Sequence, residues 1–527
     1  MVYLVRISLF CCTLLFQQQQ SLVVSYRILQ NTATHFTVKK SISNRQFLTF
    51  SRRSKLSQDL IETDLNLDAA IQSTLLLSPA DAPSTAVTIP PLDSKGYTML
   101  ILLFLVTALC ALDRVAMSVA ILPMGSEFQY SDSTRGLISS VFSLGYMVGL
   151  IPSGLLGTFS SPKKILAYGV LLWSIAQIIS PSAAYVNIQV LLAARFFMGV
   201  AEAVAIPTVQ TFVARWVPEN QRSVALGLVL SGLQVGNVCA YVASPTILDS
   251  FNWNGLFEIY GAVGFLWLFL WVPIAQDNPL PTNTKEFDET YADRSTVGLQ
   301  ENGINVRERS TILESLKGNL ELVPWRRILE CKEIRAIAVA HAVQNFGLYI
   351  NLAWLPSYFS QKYHLGVTDS SLSSVLPWIV AAVVGSGSGY AADLFVQRGV
   401  DKTLIRKVAQ SFALVVPALT LLQLSVAQDL TSTDAIGYFT VACASASACV
   451  AGFGSSVQDV CKDPKLVSTL YGITSAPAVL FGSLGVYLTG VVLDNTQSWE
   501  LVFRGTAFIY FLGAAYYASQ YEAKKLF

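Results

Sequence analysis

Arg114, Arg195 and Arg504 stand inside long apolar stretches of this 527-residue chain. If those stretches cross a bilayer, an ionised group at mid-depth costs roughly 3 kcal/mol, so it is rarely idle. Arg114 follows Asp113 and shares a helix face with Ser118, one turn later. Arg195 shares a face with Glu202, seven residues on. Two guanidinium groups facing one cavity would bind an anion, because each planar fork matches carboxylate or phosphate oxygens bidentately. A low dielectric strengthens that selection. Glu202 could hold Arg195 in place or take up a coupling proton, with Asp113 as the second acid. The alternative is that the pairs Arg114–Asp113 and Arg195–Glu202 only neutralise each other and stabilise packing. Arg504 and Glu258 occupy matching places near the ends of their stretches and read as membrane-edge residues. His341 opens a further stretch and reads as interfacial. Gln344 and Asn345, one turn deeper, could hydrogen-bond a substrate or a neighbouring helix.

Composition says what must position these residues. Hydrophobic residues make up 53% of the chain and charged residues 13%. A soluble domain carries about 25% charge, so most of this chain faces lipid or itself. A net charge of +1 gives no footing for nucleic acid. The eight cysteines are scattered through apolar segments and suit buried thiols. No phosphate loop, nucleophile elbow or metal-ligand spacing appears, which argues against an enzyme and for the absence of a cofactor.

From Tyr97 onward, twelve apolar runs alternate with short polar loops, each run long enough to cross about 30 Å as a helix. The expected fold is an all-α membrane protein with two six-helix halves, 97–274 and 334–521. A charged loop over 275–333 joins them, and a tail over 522–527 follows. The fourth and tenth runs read as continuous helices over 188–211 and 435–455. The halves echo each other in order: Ser139-Ser140-Val141 with Ser373-Ser374-Val375, and Trp253 and Phe257 with Trp499 and Phe503. Duplicated six-helix halves are a transporter pattern.

Of the 35 Lys and Arg, nine precede the first span. The even-numbered loops and the tail hold 21, the alternate loops hold two (Arg135 and Lys362), and three lie in spans. This bias places both termini on one positive side. Residues 1–58 contain no acid and eight basic residues. The apolar run Tyr3 to Phe16 reads as a signal h-region, and the Ser-, Thr- and Arg-rich stretch behind it as a plastid transit peptide. A polar linker over 59–96 follows. The expected address is a plastid envelope or thylakoid; another endomembrane or a mitochondrion is the alternative.

Several stretches resemble the anion:cation symporter family of the major facilitator superfamily. Residues 110–124, beginning Cys110-Ala-Leu-Asp-Arg, look like its first helix. Residues 195–207, with Arg195 and Glu202, resemble its fourth. Residues 215–227 resemble the loop after it, Trp354-Leu-Pro-Ser-Tyr358 its seventh span, and Gly389-Tyr-Ala-Ala-Asp393 the loop after the eighth. The resemblance implies transport of inorganic phosphate or an organic anion, driven by sodium or protons. It assigns Arg114, Ser118 and Arg195 to the substrate pathway and Glu202 to the fourth-helix acid. Arg222 and Asp393 fall on positions that latch the halves during rocking. Ser139 stands where the vesicular glutamate branch has a histidine, and Gln344 where it has an arginine, which leans toward the plastid type. The loop over 157–164 departs from the superfamily's usual run. A monomer binding a small anion is expected. The competing readings are the same fold with a neutral or cationic solute, and a receptor that turns nothing over.

Overall fold

Asn187 shows how this chain builds its crossings. It ends one helix in extended backbone, and its side chain accepts from the Val190 N–H at 2.9 Å to begin the next. Such caps satisfy the free donors at a helix start. Ser161, Asp401, Thr431 and Ser498 do the same for four other helices. The computed structural model describes residues 94–159, 161–217, 222–278, 325–461 and 465–526. The presequence, nearly all of the linker, most of 275–333 and the side chain of Arg222 lie outside the described residues.

The first half holds α1 (Ser94–Glu127), α2 (Asp132–Phe159), α3 (Pro162–Val186), α4 (Ile188–Glu202), α5 (Ala205–Trp216) and α6 (Arg222–Ile274). The short α7 (Trp325–Glu330) precedes the second half. That half holds α8 (Lys332–Tyr363), α9 (Val367–Ser373), α10 (Val375–Gln397), α11 (Lys402–Val426), α12 (Ser432–Ala446), α13 (Phe453–Val460), α14 (Lys465–Thr496) and α15 (Trp499–Gln520). No strand occurs among the described residues.

Nine helical stretches among these residues are long and apolar enough to cross a membrane. One of them is bent at Asn252, whose φ of 57° parts α6 into 222–251 and 253–274. Outside that count, α2 and α8 also have the length to cross, at 28 and 32 residues. Two runs expected to be continuous are broken. The fourth parts at 203–204 into α4 and α5. Pro207 has no N–H to give the Ala203 carbonyl, so the i→i−4 ladder fails there. The tenth parts between α12 and α13 through a 3₁₀ turn over Ser447–Val450 that runs into Gly452.

The duplication is real in three dimensions. Trp253 Nε1 donates to Glu127 Oε2 at 2.6 Å, and Trp499 Nε1 donates to Gln361 Oε1 at 3.1 Å. Each ties the last crossing of its half to the end of the first. Left-handed residues repeat too: Gln129 and His364 follow the first helices, and Asn252 and Gln497 precede the last.

The halves meet near their charge-poor ends. A methyl group built on Gly490 would strike the Asp132 carbonyl, and one on Gly136 would lie 2.9 Å from the Val486 carbonyl. Tyr241 donates to the Leu352 carbonyl at 3.1 Å across the same boundary. Near the positive side the same test on Gly227, Gly387 and Gly472 meets no atom of the described residues within 4 Å.

Candidate functional site

The two membrane arginines come together, with their partners exchanged from the sequence expectation. Arg114 pairs with Glu202 across the α1–α4 interface, Nε at 2.9 Å and Nη2 at 2.7 Å from Oε1. Neither the Arg114–Asp113 nor the Arg195–Glu202 pair forms. Adjacent residues on a helix point about 100° apart, so Asp113 turns away from Arg114. Glu202 is fully buried, while the Arg114 side chain keeps 23% of its surface open.

Arg195 is 1% exposed and forms no ion pair among the described residues. Its Nη1 reaches only the Met198 sulfur, at 3.3 Å, and its Nε has no protein partner. The Phe142 ring lies beneath both guanidinium groups, 5.5 Å from Arg114 and 5.3 Å from Arg195. Tyr146, one turn on, faces Arg114 at 4.9 Å. Aromatic faces attract cations, so α2 helps to hold both charges in place. Gly145 and Gly199 permit this approach. A side chain at Gly199 would meet the Phe142 carbonyl, and one at Gly145 the Phe196 carbonyl.

The cations open on a cleft with about 470 Å³ of empty space, including its open mouth. Arg114, Ser118, Ser139, Phe142 and Arg195 line it from the first half, and Tyr349, Leu352 and Val486 from the second. A mostly apolar cavity with a few convergent polar groups is the usual form of a small-molecule site. Arg195 makes no direct ion pair among the described residues, while the Asp113 and Glu202 carboxyls lie within its electrostatic range. Ser118 spends its hydroxyl proton on the Val115 carbonyl at 2.8 Å, leaving acceptor capacity on the oxygen.

The remaining expected residues are elsewhere. Gln344 Nε2 donates to the Ala446 carbonyl at 3.1 Å and does not line the cleft. Asn345 is half-buried on α8, and its carbonyl borders Gly482. Asp393 is exposed near the end of α10. His341 is buried and stacks on Phe453 at 4.5 Å. Arg504 donates to the Ser425 carbonyl at 3.1 Å near the end of α11. Phe142 and Ser143, which line the cleft, and Tyr146, which faces Arg114, were passed over by the arginine-centred sequence reading. Their spacing of three and four residues along α2 was the available signal.

Residues 103–483 match the Major Facilitator Superfamily. The chain is 34% identical over 450 residues to "Probable anion transporter 4, chloroplastic" of Oryza sativa subsp. japonica, covering 83% of this chain and 72% of that one. It is 34% identical over 421 residues to the chloroplastic ascorbate transporter of Arabidopsis thaliana, covering 80% and 73%. It is 33% identical over 440 residues to sodium-dependent phosphate transport protein 1, chloroplastic, of the same plant, covering 82% and 81%. A bacterial homolog to human lysosomal transporter Spinster superposes with a TM-score of 0.65 at 16% identity, covering 82% of this chain and 98% of that one. The D-xylose-proton symporter superposes with a TM-score of 0.60 at 12% identity, covering 82% and 99%. At those identities the structural likeness speaks for the fold alone. Fold, family model and relatives agree: the chain belongs to the major facilitator superfamily and is an integral membrane transporter, not an enzyme.

Proposed function

We propose that the protein carries inorganic phosphate or a small organic anion across a plastid membrane, coupled to sodium or protons. Arg195 carries this reading. It is buried, has no carboxylate partner among the described residues, and lines a cleft walled by both halves. Burying an unpaired guanidinium is costly unless an opposite charge completes it, and a phosphate or carboxylate does so bidentately. Arg114 and Ser118 stand across the cleft as further anion contacts. Gln344 and Asn345 lie next to this wall on α8 and adjust its packing. Relatives named for anion, ascorbate and phosphate transport in chloroplasts support the same substrate class and address.

Alternating access follows from the arrangement. The halves rock about the cleft, closing the charge-poor mouth while the positive side opens. Arg222 and Asp393 would latch the positive side in the opposite state. Glu202, held by Arg114, and the neighbouring Asp113 are the coupling acids. A substrate anion competing for Arg114 would release Glu202 to take a proton. One chain holds both halves, so a monomer suffices.

Proteoliposomes offered labelled phosphate, ascorbate and glutamate under imposed sodium or proton gradients test this. Saturable uptake of one anion, abolished by Arg195→Ala, is expected. Gradient-driven uptake of a neutral solute that anions do not inhibit would overturn it. Imaging a tagged copy of the full chain tests the address.

A further inference from the structure

Behind the cleft, on the far side of Arg195, lie buried polar atoms without a well-formed hydrogen bond among the described residues, although the Trp173 indole lies against the Asp113 carboxyl and the Cys110 thiol against Glu202. Asp113 Oδ1, Trp173 Nε1, both side-chain polar atoms of Gln177, Arg195 Nε and Glu202 Oε2 are all in this condition. Asp113 is 3% exposed, Arg195 1%, and Trp173, Gln177 and Glu202 not at all. Their elements bring them together. The Trp173 ring and the Ala201 carbonyl both border Gly169, which sets the indole beside the break after Glu202. The indole approaches the Asp113 carboxyl, which also lies within electrostatic range of Arg195 and Glu202. Gln177 is one turn beyond Trp173 on the same face. The turn at Asn187 makes α3 and α4 antiparallel, so that step along α3 leads toward the level of Arg195. Of these five residues only Arg195 lines the anion cleft.

We propose that Asp113, Trp173, Gln177, Arg195 and Glu202 enclose an interior hydration site, separate from the anion cleft, whose ligand is water. Buried polar groups are almost always hydrogen-bonded, and clusters of unpaired ones mark ordered water. The chemistry of the walls selects water over an ion. Arg195 Nε and Trp173 Nε1 are donors and would repel a bare cation. Asp113 Oδ1 and Glu202 Oε2 are acceptors and would repel an anion. Gln177 offers one of each. Only a ligand that both gives and receives hydrogen bonds satisfies the set. Gln177 and Trp173 are then positioning residues that hold the water against the two acids.

A consequence rests on the reading of Asp113 and Glu202 as coupling acids. Water between them makes one proton store of two carboxyls. A proton reaching Glu202 Oε2 passes to Asp113 Oδ1 as each water gives one proton and receives another. The charged and titratable groups within electrostatic range of Asp113 are Cys110 and Arg114 on its own helix, Arg195 and Glu202 on α4, and Tyr260 on α6.

Hydroxyl-radical footprinting of the purified transporter tests the site, because buried water generates radicals beside the residues it touches. Trp271 is the internal control: it is equally buried, but its Nε1 is satisfied by the Lys163 carbonyl at 3.1 Å. Trp173 should be modified at least fivefold faster than Trp271, and Gln177→Leu should bring it down to the Trp271 rate. Equal slow rates in the native protein would overturn the proposal, and that comparison decides even if the variant fails to fold. Labelling that falls when sodium chloride replaces choline chloride would show a cation in the site and also overturn it. Protected water with uptake indifferent to proton gradients would leave the hydration site standing and sink only the coupling reading.

Discussion

Asp494, at the end of α14, caps the start of α2 from the opposite half of the molecule. Its carboxylate accepts from the Asp132 N–H at 2.7 Å and from the Ser133 N–H at 2.8 Å. Gln361 at the end of α8 donates to the Asp132 carboxylate at 3.0 Å and so joins the same closure. A negative charge at a helix start satisfies free donors and complements the helix dipole. This contact spans the two halves, so in the proposed rocking it would break as the charge-poor mouth opens.

Asp494→Ala should therefore loosen that mouth. A lost charged cap costs about 1–2 kcal/mol, and about 1.4 kcal/mol shifts a two-state ratio tenfold. Labelling of Ser139→Cys by an impermeant maleimide added on the charge-poor side should rise by about that factor. Unchanged labelling would show that the cap does not hold the mouth.

The Arg114–Glu202 pair should respond asymmetrically. Arg114→Gln strands a fully buried carboxylate and should destabilise the protein by about 3–5 kcal/mol. Glu202→Gln leaves Arg114 partly open to the cleft, where solvent or substrate can neutralise it. Its loss of stability should be smaller, and its affinity for anions should rise while the response to a coupling gradient falls. Thermal unfolding in detergent, read beside anion binding, separates the two variants. Equal destabilisation would contradict the exposure difference.

Arg195→Lys keeps the charge and removes the fork. An ammonium cannot make two parallel hydrogen bonds to one anion, and it stacks less well over Phe142. Anion uptake should lose about tenfold in kcat/KM, corresponding to about 1.4 kcal/mol. Uptake kinetics of the lysine and alanine variants, measured side by side, check this. A lysine variant with wild-type kinetics would reduce the site to a simple positive charge.

The C-terminal tail is part of the second half's packing. Tyr521 is fully buried and stacks on Tyr517 at 4.8 Å. Lys525 Nζ donates to the Cys461 carbonyl at 2.7 Å, and the Leu526 N–H to the Val460 carbonyl at 2.8 Å. A cation at the end of α13 complements its dipole. Truncation after Gln520 should cost about 2–3 kcal/mol from the lost aromatic burial. Maleimide reaction at Cys461, now buried, should accelerate. A truncated chain with unchanged melting and unchanged thiol reactivity would refute this packing role of the tail.

Much of the site could be read in the chain because charge is so costly in lipid. Arg114, Arg195, Asp113 and Glu202 stand out against apolar neighbours, and they do converge. Their pairing could not be read. Spacing along one helix places Arg195 and Glu202 on a common face, but it says nothing of which neighbouring helix brings a closer partner. Arg114, 88 positions from Glu202, wins that contest. Gln344 shows the converse: a polar residue one turn inside a span bonds a backbone carbonyl between helices instead of facing substrate.

By itself the sequence determined the membrane class, the duplicated halves and the sidedness, and it named the arginines. Those properties follow from local quantities: hydropathy over about 20 residues, the position of Lys and Arg, and repeated Trp and Phe at element ends. Tertiary structure alone decided that Glu202 neutralises Arg114, that Arg195 forms no ion pair among the described residues, and that Asp494 caps α2 from the other half. Each of those depends on which helix ends and faces meet between positions 88 to 362 residues apart, and a one-dimensional pattern carries no such distance. The 13% of charged residues argued against a soluble enzyme; the packing of α1, α2 and α4 left Arg195 without an ion pair among the described residues.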